Sequence, residues 1–114
     1  MNHSAPNILY TASSSAHLES FHLPYLAALR SLGWDVTAAA NGNGEGLGEG
    51  VRFFAVPFTK SFVSPKNFRA AALLARDIRK NRYDVIVTHT SLAAFFTRLG
   101  VMLAGKKHTR VVNT

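Results

Sequence analysis

The sequence predicts an α/β fold, a Rossmann-like open parallel sheet of about five strands with helices on both faces. Short apolar runs typical of buried strands alternate with longer segments of helical periodicity. These segments are long enough to return the chain for parallel pairing by right-handed crossovers. The 114 residues, 47% of them hydrophobic, are enough for one core, so we expect one Rossmann-like domain over residues 1–114.

The first part of the chain predicts a strand, a turn, a helix and a second strand. Residues 8–10 form an apolar run, and the small polar residues 11–15 after it favour a turn. Leucines recur at helical spacing from about 21 to 32, and Gly33 suits the left-handed position that closes a helix. Residues 36–40 predict a strand buried on both faces of a parallel sheet.

A glycine-rich loop is expected after the second strand. Five glycines alternate with other residues between Gly42 and Gly50, and their backbone entropy argues against a regular element. Residues 51–58 predict a third strand that stops near Pro57. The crossover between these two strands is therefore expected to be irregular.

The second part of the chain predicts a helix, a strand, a helix and a fifth strand. Ser64 can cap a helix whose first position is Pro65. One face of that helix is expected to bury Phe68, Ala71, Ala72, Ala75 and Ile78. Residues 84–89, 92–104 and 110–112 predict the remaining three elements, and the helix over 92–104 is expected to close near Gly105.

Three phenylalanines stand in the apolar stripes of the two predicted helices. Because of this periodicity, we expect Phe68, Phe95 and Phe96 in the core. A nucleic-acid interface would instead interleave exposed aromatic rings with basic residues. The pattern therefore favours packing over nucleic-acid binding.

Charge is distributed unevenly along the chain, whose net charge is +7. Residues 1–59 carry two basic and four acidic side chains, and residues 60–114 carry eleven basic and two acidic ones. This asymmetry favours an anionic partner, which could be nucleic acid, a phosphorylated sugar donor or an anionic membrane surface.

Several classes of site are not expected. The chain has no cysteine, so disulfides, zinc–thiolate clusters and a cysteine nucleophile are excluded. Its five histidines lack a compact ligand spacing, and we expect no metal. No P-loop, G-x-G-x-x-G motif or paired carboxylates are present. The pattern also lacks a secretory signal, which predicts a cytoplasmic protein.

A binding site is expected outside the carboxyl ends of the strands, where ligands of open α/β sheets bind. The polar residues that follow the predicted strands are Ser13, Ser14, Ser15, His17, Asn41, Lys60, Ser61, His89, Thr90, Asn113 and Thr114. The serines could hold a phosphate or form a solvated turn. His89 could serve the site or the core equally well.

Several segments, taken in order, resemble the N-terminal domain of bacterial family 4 glycosyltransferases of the capsular and exopolysaccharide type. They are NILYTAS from Asn7, FHLPYL from Phe21, GWDV from Gly33, VPF from Val56, SPKN from Ser64 and YDVIVTHT from Tyr83. The resemblance implies half of a GT-B enzyme that transfers hexosyl groups with retention of configuration and without a metal. A C-terminal domain, absent from these residues, would bind the nucleotide-sugar donor, so this chain alone is expected to be inactive.

The resemblance also assigns roles by position. Ser14, Ser15 and His17 match a loop beside the donor phosphates and the transferred sugar. Lys60 and Ser61 match a loop near the acceptor, and His89 and Thr90 match the loop after the fourth strand. The implied partners are a nucleotide sugar and a saccharide or lipid-linked acceptor.

The basic second half of the chain also suits peripheral contact at the inner face of the cell membrane. No helix follows the fifth predicted strand, so we expect self-association through exposed apolar surface or an open sheet edge near Val111 and Val112.

Two other functions fit the same residues. One is a stand-alone α/β module that binds anionic ligands, including nucleic acid. The other is half of a different GT-B enzyme, such as a sugar-nucleotide epimerase.

Overall fold

A five-stranded sheet forms the centre of the computed structural model, which describes residues 6–21, 23–48, 50–59, 64–105 and 109–113. In chain order the elements are β1 (Asn7–Ser14), α1 (Ser15–Phe21), α2 (Leu23–Ser31), β2 (Asp35–Asn41), a 3₁₀ turn (Glu45–Leu47), β3 (Arg52–Ala55), α3 (Pro65–Lys80), β4 (Val85–Thr88), α4 (Ser91–Ala104) and β5 (Arg110–Asn113).

The sheet has the order β3-β2-β1-β4-β5, and all of these pairs are parallel. The predicted fold class is therefore confirmed. From β1 the chain first builds outward through β2 to β3, and it then returns to the other side of β1 to place β4 and β5. Strand order thus reverses between β1 and β4, which is where open α/β sheets bind ligands.

Helices cover both faces of the sheet. Leu18 of α1 and Leu26 of α2 are fully buried with Ile8 and Tyr10 of β1 in one apolar cluster. On the other face, α3 and α4 pack against the opposite side of the same strands, in a cluster that includes Leu9, Leu74, Ile86 and Phe96. The alternation of neighbouring residues between the two clusters follows the two-residue period of a strand.

The predicted ends of three helices are confirmed. The Oγ of Ser64 accepts a hydrogen bond from the backbone N–H of Lys66 at 3.3 Å, and Pro65 follows as the first residue of α3. Gly33 and Gly105, which follow α2 and α4, have φ values of 89° and 72°. Glycine adopts this left-handed conformation without the steric cost that other residues incur.

The turn predicted over residues 11–15 is wrong. β1 continues to Ser14 and α1 begins at Ser15, so the helical segment starts earlier than the leucine spacing indicates. Thr11 and Ala12 are fully buried, because β1 is the central strand and both of its faces are covered. Burial in the centre of a sheet outweighs the preference of small polar residues for turns.

The β2–β3 connection contains one 3₁₀ turn, Glu45–Leu47, where no regular element was expected. It forms because Leu47 is buried in the core cluster of α1 and α2. β3 is shorter than predicted and ends at Ala55. Pro57 has no N–H with which to continue the hydrogen bonds between β2 and β3. Beyond it, the Asn41 side chain takes over the contact, because its Nδ2 donates to the carbonyl oxygen of Phe58 at 2.6 Å.

The core prediction is correct for Phe96 and wrong for Phe68 and Phe95. Phe96 is fully buried, but the other two rings are 52% and 54% exposed. Ala71, Ala75 and Ile78 of α3 are buried as predicted. Ala72 is exposed, and Asn67, Ala70 and Leu74 complete the buried face of the helix. The core face of α3 is thus rotated by part of a turn from the predicted one.

Candidate functional site

The carboxyl ends of β1 and β4 are joined by side chains that are far apart in sequence. Ser13 Oγ and Thr90 Oγ1 share a hydrogen bond of 2.7 Å across 77 residues of sequence. Just below this pair, the backbone N–H of His89 donates to the carbonyl oxygen of Thr11 at 2.8 Å. The carboxyl end of β1 and the junction between β4 and α4 are therefore fixed to each other at the point where strand order reverses.

Thr90 holds an unusual backbone conformation at this position. Its φ of 77° and ψ of 144° are rare for a residue other than glycine, above all for a β-branched one. Thr90 also caps α4, because its Oγ1 accepts from the backbone N–H of Ala93 at 3.4 Å. Such strain costs about 1–3 kcal/mol and is concentrated at functional sites in proteins.

His89 lies directly beneath this pair and is 4% exposed. Its imidazole stacks on the ring of Tyr10, with ring centroids 4.9 Å apart and an angle of 29° between the planes. Burial, with a smaller contribution from Tyr25, raises the pKa of the Tyr10 hydroxyl. His89 therefore packs beneath the Ser13–Thr90 pair and does not extend into solvent.

Ser14 and Ser15 lie on the β2 side of β1 rather than on the β4 side. After an irregularity in register, Ser14 pairs with Asn41, the last residue of β2. Ser15 is the first residue of α1 and is 7% exposed. Its side chain occupies the space that a Cβ on Gly42 would need, and Gly42 has a φ of 125°. The β1–β2 side of the edge is thus tightly packed.

Five predicted site residues cannot be placed with the others. Thr114 lies outside the described residues, and so does the side chain of Asn113, the last residue of β5. His17 lies on α1, but its side chain falls outside the described part of the structure. Lys60 and Ser61 lie in residues 60–63, also outside the described residues. Their roles stay predictions.

An open cavity of about 460 Å³ lies at the carboxyl ends of β2 and β3, beside the first turns of α3. Its lining residues are Asn41, Gly42, Ala55, Val56, Pro57, Thr59, Lys66, Arg69 and Leu73. Both cations belong to α3, three residues apart, so they lie on neighbouring turns of the same side. The pairing of Ser14 with Asn41 places this cavity next to the β1–β4 edge.

The wall of the cavity is held by Asn67, which is fully buried. Its Oδ1 accepts from the backbone N–H of Thr59 at 2.8 Å, and its Nδ2 donates to the oxygen of Thr59 at 3.3 Å. This pair of bonds ties the segment after β3 to the start of α3, the helix that carries Lys66 and Arg69. Two cations near a fixed wall suit an anionic ligand such as a phosphate.

Sequence reasoning missed this cavity, because basic residues on the polar face of an amphipathic helix, such as Lys66 and Arg69, are usually solvated side chains. Their position could have indicated the cavity, because both residues lie in the first turns of the helix that follows the edge strand β3. Within the ranges that the structure describes, no three His, Asp or Glu side chains come together as a metal site would require. Over the same ranges, no helix is long and apolar enough to span a bilayer.

The chain is similar in sequence to known glycosyltransferases. The profile of Glycosyltransferase Family 4 matches residues 25–114. The chain is 32% identical over 107 residues to "Putative glycosyltransferase EpsD" of Bacillus subtilis (strain 168), covering 94% of this chain and 28% of that protein.

Solved structures share the fold at low identity. MurG of Acinetobacter baumannii superposes with a TM-score of 0.68 at 14% identity, covering 95% of this chain and 34% of the MurG chain. The C-terminal domain of PF1911 hydrogenase from Pyrococcus furiosus gives a TM-score of 0.63 at 14% identity, covering 95% of this chain and 90% of that one. At these identities the likeness shows the fold alone. The chain thus spans about a third or less of the length of EpsD and of MurG.

Proposed function

Because the chain belongs to glycosyltransferase family 4, we propose that it forms the acceptor side of an enzyme that transfers a sugar from a nucleotide-sugar donor. The acceptor is a saccharide or a lipid-linked saccharide, and the reaction serves the synthesis of bacterial polysaccharide or glycoconjugate in the cytoplasm. The observation that carries the proposal is the cavity with Lys66 and Arg69 at the same edge as the Ser13–Thr90 pair. Neither the nucleic-acid module nor the epimerase is favoured by the comparisons.

Under this proposal the cavity and the Ser13–Thr90 pair, both at the carboxyl ends of the strands, have separate tasks. Lys66 and Arg69 bind the negative charge of the acceptor, since both are exposed cations beside a wall fixed by Asn67. The Ser13–Thr90 pair and the buried His89 hold the end of β1 and the β4–α4 junction in one arrangement, against which a sugar could be oriented. Such positioning lowers the barrier of a two-substrate reaction.

The remaining parts of the reaction belong to the part of the enzyme outside this chain. We propose that a C-terminal domain binds the donor and supplies the catalytic group, as the 28% coverage of EpsD allows. Transfer then retains the anomeric configuration and uses no metal, and residues 1–114 alone are inactive. Product configuration determined by NMR, with and without a chelator, tests both chemical statements.

The proposal is tested with the purified full-length enzyme and a panel of nucleotide sugars and acceptors. We expect the double variant Lys66→Ala/Arg69→Ala to raise the KM for a phosphorylated acceptor at least tenfold with little change in the KM for the donor. Arg76→Ala is the matched control, because Arg76 is an exposed cation on the same helix that does not line this cavity. Salt-sensitive binding of random oligonucleotides without any sugar transfer would instead support the nucleic-acid module.

A further inference from the structure

The outer side of β3 is an open edge of the sheet. Within the described residues, β3 is the last strand on its side of the order and pairs with β2 alone. The backbone N–H of Val56 donates to the carbonyl oxygen of Ala40 at 3.1 Å, so the polar backbone groups of Val56 point toward β2. Because these groups alternate in direction along a strand, those of Phe53 and Ala55 point to the outer side. An edge of this kind can pair with a strand from another chain.

A row of basic side chains on α3 runs beside this edge. Its members are four exposed cations and one half-buried leucine, spaced three or four residues apart: Lys66, Arg69, Leu73, Arg76 and Lys80. This spacing places them on one side of the helix. Lys66 and Arg69 line the cavity of about 460 Å³ together with Ala55. Arg76 and Lys80 line a second cavity, of about 230 Å³, together with Phe54. The row therefore faces β3 along the length of α3.

The two cavities form one groove, because Leu73 lines both of them. We call the open edge of β3 and the row of five α3 residues the edge groove. Its floor is apolar, since Phe54 and Leu73 are half-buried and pack against the core between the sheet and α3. An extended segment in the groove would meet backbone groups on one side, cations on the other and apolar side chains beneath.

The positive charge of the edge groove is largely uncompensated. Of the described residues that line the two cavities, Asp77 alone is acidic. Its Oδ2 accepts from the hydroxyl of Tyr83 at 2.6 Å, and its Oδ1 accepts from Nδ2 of Asn81 at 2.9 Å. Both carboxylate oxygens are thus engaged within the chain. Four cations with one carboxylate among them favour an anionic partner.

The dimensions of the groove define what could fill it. Lys66 and Lys80 stand at the two ends of the row on α3, which corresponds to about 21 Å along the helix axis. An extended chain covers that length with about six residues. Since successive side chains of a strand point to opposite faces, every second residue of such a chain would face the cations. The groove therefore suits a segment with acidic residues at alternate positions.

We propose that the edge groove binds an extended acidic segment of another protein. The segment pairs with β3 as an added strand and places alternate Asp or Glu side chains against the cations of α3. A second copy of this chain is disfavoured, because a two-fold contact through the groove would oppose like charges. In addition, no two acidic residues of the 114 stand two positions apart.

This inference goes beyond the proposed function, which requires an acceptor but no protein partner. One consequence does rest on the proposed function. A bound segment would cover Lys66 and Arg69, which also line the acceptor cavity, and would exclude a phosphorylated acceptor from it.

Fluorescence anisotropy with the full-length enzyme and labelled peptides tests the inference without any sugar substrate, so its failure is separate from failure of the proposed function. The probe is a peptide of about eight residues in which glutamate alternates with valine. The comparison peptide has the same composition, with the glutamates and the valines in two blocks. We expect the alternating peptide to bind at least tenfold more tightly. Equal binding of the two peptides would show general charge attraction and overturn the inference.

Peptides methylated on backbone nitrogen test the strand pairing itself. In the alternating peptide, the N–H groups of the glutamates point to one edge of the strand and those of the valines to the other. Methylation of one set should weaken binding at least tenfold, and methylation of the other set no more than twofold. A similar effect of both sets would exclude pairing with β3.

Variants of the enzyme locate the groove. Arg76→Ala/Lys80→Ala should weaken binding of the alternating peptide at least fivefold. The matched control is Arg30→Ala/Arg98→Ala, which removes two exposed cations of α2 and α4 that line neither cavity and should stay within twofold. Ala55→Pro removes an outward N–H but keeps the bonds to β2, and it should also weaken binding at least fivefold. An equal loss in the control would refute the assignment of the groove.

Three further measurements keep the result decisive. Circular dichroism confirms that each variant is folded, and the methylated peptides replace Ala55→Pro if that variant unfolds. Sedimentation without peptide examines a second copy of the chain as the occupant. A concentration-dependent dimer that is lost in Arg76→Ala/Lys80→Ala would refute the inference. Binding to vesicles of phosphatidylglycerol that is lost in the same variant, with no binding of the alternating peptide, would refute it as well.

Discussion

Replacement of Thr90 by glycine and by alanine tests whether the β4–α4 junction stores backbone strain. Alanine removes the cap of α4 and the bond to Ser13, worth about 1 kcal/mol each, and keeps the strain. Glycine removes the same hydroxyl, but its cap loss is only a few tenths of a kcal/mol. It also relieves about 1–3 kcal/mol of strain at the φ of 77°, against a backbone entropy cost of about 0.5–1 kcal/mol.

These terms predict a destabilisation of about 2 kcal/mol for Thr90→Ala and a stability close to that of the unchanged chain for Thr90→Gly. Urea unfolding followed by circular dichroism measures both values. Ser13→Ala is the control: it removes the 2.7 Å bond without altering the strain, and it should cost about 1 kcal/mol. If the alanine variant is the more stable of the two, as at an ordinary backbone position, the strain argument is refuted.

Three other changes have defined outcomes. Thr97 Oγ1 donates to Thr11 Oγ1 at 2.9 Å, and both residues are fully buried. Changing either one to valine should lower the free energy of unfolding by about 1–3 kcal/mol, because the other hydroxyl loses its partner. The double change should cost much less than the sum of the two, which a double-mutant cycle measures. Gly42→Ala should unfold at a lower temperature than Gly48→Ala, because both glycines have positive φ but only a Cβ at Gly42 meets another side chain. Burial and a neighbouring carboxylate raise the pKa of Tyr83 above its ordinary value of 10.0, so the unfolded chain ionises first and the free energy of unfolding should fall as pH rises above 10. In Tyr83→Phe that fall should be smaller in urea titrations between about pH 8 and 11, and an unchanged slope would exclude Tyr83 as its source.

Elements with a strong local signal were predicted closely. The bounds of α4 differ by one residue from the expected 92–104, because leucine spacing and a closing glycine are properties of adjacent residues. β2 was recognised by its apolar run and is buried from 36 to 40 as expected. Parallel pairing followed from the alternation of strands and helices along the chain.

The errors arose where packing outweighed local preference. Thr11 and Ser13 belong to β1 because the strand is central, although their residue types favour turns. Phe68 and Phe95 follow a core pattern but lie at the rim, because small residues set how closely α3 and α4 approach each other. Helical spacing indicates which residues share a side of a helix, and it does not state what that side meets.

The residues alone determined the class of fold, the family and the edge of the sheet where a site belongs, since each depends on patterns between near neighbours in the chain. The tertiary structure decided which polar groups meet at that edge. Ser13 and Thr90 are 77 residues apart and become partners only when β4 returns beside β1. The same holds for the cations of the cavity and for the exposed rings of Phe68 and Phe95, because exposure depends on what the rest of the chain covers.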